Sequence, residues 1–217
     1  MAVSLYVYPN KVFLALGSNI GNWKINFNSC LKQLQNIGEL KSIGNIYVSK
    51  PYGYKDQNDF YNTAVEIHTI FSASKLIVEL QLIEKNLHKN KLIKNGPRRI
   101  DIDIIFFNSL RIIQENLVIP HPRAKNRDFV IFPLCDINPF FKHPTENKSL
   151  KKLKIELQDQ YIEKKNYTAE RFVRNSLSLT NEILLFLSFK PREISIPLGD
   201  ILSMIILALL LSMPPPI

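Results

Sequence analysis

The chain has 217 residues, 46% hydrophobic and 22% charged, with two cysteines and a formal net charge of +9. That composition suits one well-filled globular core with an appended piece, and it excludes a disordered, collagen-like or disulfide-stapled chain. The positive excess, 17 basic against 11 acidic residues up to position 140 and 11 against 8 beyond it, suits a polyanionic partner: nucleotide, nucleic acid or anionic lipid.

Met1 to Pro9 lacks a basic leader and runs directly into a strand, so no signal peptide is expected. Val12-Phe13-Leu14-Ala15-Leu16 reads as that buried strand. Gly17-Ser18-Asn19-Ile20-Gly21-Asn22 follows as a tight turn, with Ser18, Asn19 and Asn22 as candidate helix caps. Phe27, Leu31, Leu34 and Ile37 recur at helical spacing, and Gly38 is a good stop. Glu39 to Ser49 reads as a second strand, Lys50 to Asp59 as a long loop, and Phe60 to Thr69 as a third strand. The second helix, capped at Ser72 or Ser74, presents Leu76, Leu80, Ile83 and Leu87 to the core, while Gln81, Glu84 and His88 share another face.

Asn86 to Gly96 is a polar loop, followed by a strand bearing two aspartates and a short connection at Asn108-Ser109. The next stretch ends in Ile119-Pro120-His121-Pro122, and Phe129 to Ile137 is expected to be helical or irregular despite Pro133. Cys30 and Cys135 sit in apolar-periodic stretches without metal-type spacing, as reduced core residues of a cytoplasmic protein would. The order β-α-β-β-α-β predicts an α+β fold: a ferredoxin-like split βαβ core whose antiparallel-rich sheet is flanked by helices. No GxxxxGK(S/T) loop is present, so nucleotide phosphates would be held without the usual glycine cradle.

The segment richest in chemistry is Gly96-Pro97-Arg98-Arg99-Ile100-Asp101-Ile102-Asp103-Ile104-Ile105-Phe106-Phe107. A strand's period of two puts Asp101 and Asp103 on one face, with Ile100, Ile102 and Ile104 on the other. Two carboxylates on a core strand need a cation between them. The basic loop could supply one as a salt bridge, since six basic residues and no acid lie from Lys85 to Arg99. Mg²⁺ is the alternative, because it takes one or two carboxylates together with substrate phosphates.

These residues resemble one family, the 6-hydroxymethyl-7,8-dihydropterin pyrophosphokinases of folate biosynthesis. The resemblance covers roughly residues 11–140 and runs in family order. Its segments are Leu14 to Gly21, Tyr47 to Gly53, Gln57 to Asn62, Gly96 to Asp103, Ile119 to Arg123, and Asn126 to Phe129. It implies transfer of pyrophosphate from ATP to the pterin hydroxymethyl oxygen, with AMP leaving. It implies two Mg²⁺ on Asp101 and Asp103, and a clamp on the reacting phosphates made by Arg98, Lys89 and Lys91. ATP contacts are implied at Gln81, Glu84, Ile104, His121 and Arg127, and pterin contacts at Ser49, Tyr52, Phe60, Asn62 and Phe129. Phe60 and Phe129 would sandwich the flat ring, and Asn62 would read its edge. The chain departs from the family pattern where Lys94-Asn95 replaces Arg-Trp, where lysines replace loop arginines, and at Lys50.

Lys148 to Lys165 is polar and is expected to finish the domain with a helix, giving a pyrophosphokinase domain over 1–165 and an apolar extension over 166–217. The apolar run Ile201 to Met213 spans about 20 Å as a helix, short of the ~30 Å hydrocarbon core, so a membrane span is not expected. The family's frequent fusion to dihydropteroate synthase implies a link to that enzyme. Two other readings remain: a basic ferredoxin-like nucleic-acid-binding module, which leaves Asp101 and Asp103 idle, and a degenerate homologue that binds ligand without turnover. Nucleic acid is not the expected partner.

Overall fold

Alternation along three strands builds the frame. In the computed structural model, which describes residues 8–87 and 96–168, the first half contains β1 (Asn10–Ser18), α1 (Trp23–Leu34), β2 (Glu39–Ile43), β3 (Ile46–Ser49), β4 (Phe60–Thr69) and α2 (Ala73–Asn86). The second half contains β5 (Asp101–Phe107), β6 (Ile112–Gln114), β7 (Leu117–Ile119), α3 (Asp128–Ile137), α4 (Leu150–Glu156) and β8 (Ile162–Tyr167). These elements fall in a unit spanning Met1–Arg174; a second unit, Asn175–Ile217, lies outside the described residues.

The main sheet runs β5-β1-β4-β3-β8, with β2 also on β4, and its pairings are antiparallel. With β2 and β3 counted as one interrupted strand, this is the expected ferredoxin-like order. Val12, Leu14 and Leu16 of β1 point to one face, where Phe27, Leu34, Leu76 and Leu80 of α1 and α2 complete a core. Phe13 points to the other, against Ile131 and Leu134 of α3 and Leu150 of α4. One extra residue on β5 breaks the alternation: Phe13 pairs with Phe106 but Leu14 with Ile104. This bulge sends Ile105 and Phe106 into the same core.

The structure decides two points that the sequence leaves open and differs from its expectations at two others. Asn22, not Ser18 or Asn19, caps α1, its side chain accepting from Lys24 N and Ile25 N; Ser72 caps α2. Glu39 to Ser49 is not one strand. It breaks at Gly44, where an added Cβ would sit 2.4 Å from the Pro133 carbonyl oxygen, so α3 packs directly on the bare backbone. The stretch before Ile119 is a hairpin, β6 against β7. Lys148 to Lys165 is helical only through α4; the rest becomes β8, drawn onto the edge of β3, with Asp128 Oδ2 accepting the N–H groups of Tyr161 and Ile162 at 2.7 and 2.8 Å.

Candidate active site

The three adjacent strands β5, β1 and β4 place the predicted residues in register. Asn62 of β4 and Asp101 of β5 both lie opposite Gly17 of β1, and in the next row Ala64 and Asp103 both lie opposite Ala15. Small residues on the middle strand thus leave a trough between an amide wall and a carboxylate wall. A Cβ at Gly17 would stand 3.4 Å from Asn62 Oδ1, 3.9 Å from the Phe60 ring and 4.0 Å from Asp101 Cβ. The N-terminal turn of α3 brings Arg127 and Phe129 to the same cleft.

Asn62 is buried, and its Nδ2 donates to Ser49 Oγ at 2.9 Å and to the Phe60 carbonyl at 3.3 Å. Those bonds fix the amide plane and turn Oδ1 toward the trough. Phe60 is buried on the same strand face, two residues away.

On the opposite wall, Arg98 Nη2 pairs with Asp101 Oδ2 at 2.9 Å. The salt bridge is therefore formed, but it engages only one aspartate. Among the described residues, the Asp103 carboxylate forms no ion pair or hydrogen bond; its charge acts on His121 and Arg127, opposing the larger effect of burial on each. β5 is the edge of the sheet, and the buried carboxylate of Glu84 secures it by accepting the N–H of Ile102, between the two aspartates, at 2.8 Å. Ile104 is buried in the first core, so any ligand contact it makes comes through its backbone on this edge strand.

The arginines carry the clearest ligand signal. The Arg98 guanidinium stacks over Phe60 at 5.0 Å, and that of Arg127 over Tyr52 at 4.6 Å and Phe129 at 5.7 Å. Both Nε atoms are buried without a hydrogen-bond partner. An unmet buried donor costs about 1–3 kcal/mol, so the pair calls for a ligand rich in oxygen acceptors, and phosphate suits the guanidinium fork. Burial lowers the pKa of Arg127, with Arg123 adding to the effect. Burial likewise lowers that of His121, whose Nδ1 accepts from the Arg123 N–H at 3.3 Å. The neutral ring therefore keeps its proton on Nε2, as a donor. The cleft bounded by Gly17, Asn62, Asp101, Asp103, Arg127 and Phe129 holds only about 50 Å³, against roughly 300 Å³ or more for a small-molecule site. Guanidinium groups cover the faces of Phe60 and Phe129 that border it.

The family model for 7,8-dihydro-6-hydroxymethylpterin-pyrophosphokinase (HPPK) matches residues 13–139, more than half of the chain. The chain belongs to the HPPK family. It is 34% identical over 145 residues to a 2-amino-4-hydroxy-6-hydroxymethyldihydropteridine pyrophosphokinase of Aquifex aeolicus, covering 67% of this chain and 91% of that one. It is 39% identical over 148 residues to a folic acid synthesis protein of Dictyostelium discoideum, covering 68% of this chain but 22% of the relative. A relative of that name from Pneumocystis carinii is 42% identical and covered over 19% of its length. The chain thus spans about a fifth of these two relatives. Among solved structures, HPPK-DHPS of Plasmodium falciparum shares the fold, with a TM-score of 0.56 at 17% identity over 68% of this chain and 44% of that one.

Within the HPPK segment, the structure brings together Ser49, Tyr52, Phe60, Asn62, Arg98, Asp101, Asp103, Arg127 and Phe129 around the trough, with His121 bonded through its N–H to the Ile105 carbonyl. It divides Gln81 from Glu84: the first is exposed on α2, the second buried against β5. Both lie on α2 at a spacing of three, which keeps them on one side of the helix, with Glu84 turned to β5. Lys89, Lys91 and His88 lie outside the described residues.

Three further residues contribute. Gly17, a turn residue by its sequence, forms the floor of the trough. Asn19, a cap candidate by its sequence, instead donates its side-chain amide to Gln57 Oε1 and the Asn58 carbonyl, each at 3.0 Å, and accepts the N–H of Arg98 at 2.8 Å. It clasps the loop before β4 to the loop before β5. Asp128, to which the sequence gives no role, anchors β8. Burial is the missing signal, because a polar residue in a turn gives no hint that it is 6% exposed, as Asn19 is.

Proposed function

We propose that this protein transfers the pyrophosphoryl group of ATP to the hydroxymethyl oxygen of 6-hydroxymethyl-7,8-dihydropterin, releasing AMP, in folate biosynthesis. The observation that carries the reading is the row Asn62–Gly17–Asp101, flanked by two arginines with unmet buried Nε donors. It sets an amide for a heterocycle edge, a bare floor, and charge for a polyphosphate side by side.

In this reading Phe60 and Phe129 stack on the pterin once Arg98 and Arg127 leave their faces, and Asn62 Oδ1 accepts from the ring edge. The displaced arginines, freed of stacking, turn their guanidinium forks to phosphate oxygens. Neutral His121 donates from Nε2 to the same phosphates, and Lys89 and Lys91 add charge. Gln81 and the Ile104 backbone contact the nucleotide, while Glu84 acts through β5. The donor set fits Mg²⁺: two carboxylates on one strand face, oxygen only, with phosphates and water to complete the shells. Asp101 and Asp103 would hold two such ions, whose chemistry when bound would be charge neutralisation on the triphosphate. Positioning by the trough then contributes the rest, since this transfer depends on placement more than on covalent help.

No helix among the described residues is long and apolar enough to cross a membrane, and a cytoplasmic site of action, feeding a dihydropteroate synthase, is part of the proposal. Phosphorus NMR of the protein with ATP, Mg²⁺ and the pterin tests it. AMP and a pterin diphosphate should appear together. ADP as the product, or AMP without pterin consumption, contradicts it.

A further inference from the structure

Tyr161 lies beyond the HPPK-matched segment, yet it completes the aromatic group around Arg127. Its ring meets Phe129 edge to face at 5.7 Å and 82°, and Tyr52 at 5.6 Å and 68°. Its backbone reaches the same two segments. The Tyr161 N–H donates to Asp128 Oδ2 at 2.7 Å, next to Phe129 on α3. Its carbonyl accepts the N–H of Lys50 at 2.9 Å, in the loop that carries Tyr52. Lys50 Nζ reinforces that tie through Glu163 Oε1 at 3.0 Å.

The backbone bonds alone would anchor the strand. The ring adds two edge-to-face contacts that set the planes of Phe129 and Tyr52. An edge-to-face contact fixes a neighbour's tilt and leaves its far face free. We propose that Tyr161 is a positioning residue of the flat-heterocycle subsite, holding Phe129 and Tyr52 at the tilt at which a pterin ring stacks on Phe129. This rests on the pterin reading above. It makes the residue leading into β8, outside the matched segment, part of the substrate site, and it gives this chain an aromatic brace in addition to the two rings that the resemblance implies.

The test is calorimetric titration of the full chain with 6-hydroxymethylpterin, in Mg²⁺ and a non-hydrolysable ATP analogue, with the analogue titrated separately. Tyr161→Ala and Tyr161→Leu should each weaken pterin binding about fivefold, the size of an ordinary aromatic pair, and leave analogue binding within about twofold. Tyr161→Phe should restore the wild-type value, since only the ring is needed. The leucine variant keeps bulk and backbone bonds, so the test stands if the alanine variant folds poorly. Wild-type pterin affinity in Tyr161→Leu, an equal loss for both ligands, or failure of Tyr161→Phe to restore binding overturns the proposal. Asn62→Ala separates the two levels: if it weakens pterin binding while Tyr161→Leu does not, only the role of Tyr161 falls. If the wild type binds no pterin, both fall.

Discussion

Two halves of one sheet face are made from the same three strands and do opposite work. Toward the loops, the face shows Asn62, Gly17 and Asp101 in one row and Ala15 beside Asp103 in the next. Away from the loops it shows Phe13, Ile105 and Phe106, packed with Leu134, Leu150 and Phe141, and Phe13 and Phe141 lie 4.9 Å apart. On β1 the inward residue shrinks two positions at a time, from Phe13 to Ala15 to Gly17. That taper, together with the bulge in β5, turns a filled core into an open trough. The lesson is that substitutions at the filled end should act on stability, and those at the open end on ligands.

The largest effect that separates the halves is Phe106→Ala. It should cost about 3–5 kcal/mol in urea denaturation, with turnover per folded molecule kept; a parallel collapse of turnover would dissolve the distinction. Asn62→Ala should weaken pterin binding by roughly 1–3 kcal/mol, from groups left unpaired, and leave nucleotide binding alone. Equal losses in titrations of both ligands would move Asn62 to the structural side, through its bond to Ser49.

A pH series sharpens the contrast at the boundary. Burial holds the imidazoles of His121 and His143 below the ordinary value of 6.5. As pH falls through 6.5, the unfolded chain takes up protons that the folded chain refuses, so the stability these neutral rings contribute is complete above that pH and lost below it. The denaturation midpoint should stay flat above about pH 7 and fall on acidification, less steeply in His143→Gln. A steeper fall in that variant would contradict the burial argument. The smallest change is Gly17→Ala. Its methyl meets only ordinary contacts at 3.4 Å or more, so stability should stay within about 0.5 kcal/mol while pterin affinity drops. Unchanged affinity would mean that the ring does not lie over Gly17.

Much of this was legible in the sequence because it rests on local periodicity. The alternation from Ile100 to Ile104 put both aspartates on one face, and the spacing of Phe60 and Asn62 put ring and amide together, as the structure shows. What the sequence hid depends on partners distant along the chain. Gly44 breaks a strand because Pro133 packs on it, and no pattern within Glu39 to Ser49 records that contact. β8 forms because β3 offers an edge and Asp128 receives its first amides. Glu84 reads as one of three polar residues sharing a second face of its helix, and nothing in that pattern shows that it accepts the N–H of Ile102 on β5. The bulge at Ile105 is likewise invisible in an unbroken apolar run.

The most direct test of the account is Asp103→Asn, read twice: by single-turnover AMP formation with ATP, Mg²⁺ and pterin, and by thermal denaturation. Asp103 sits at the open end with no ion pair or hydrogen bond to its carboxylate among the described residues, so its charge is free to serve a ligand. AMP formation should fall by roughly 100-fold or more, as for other losses of charge at a reacting group, with the midpoint unchanged. A lowered midpoint with AMP formation per folded molecule intact would contradict the account, because the carboxylate would then belong to the fold and not to the chemistry.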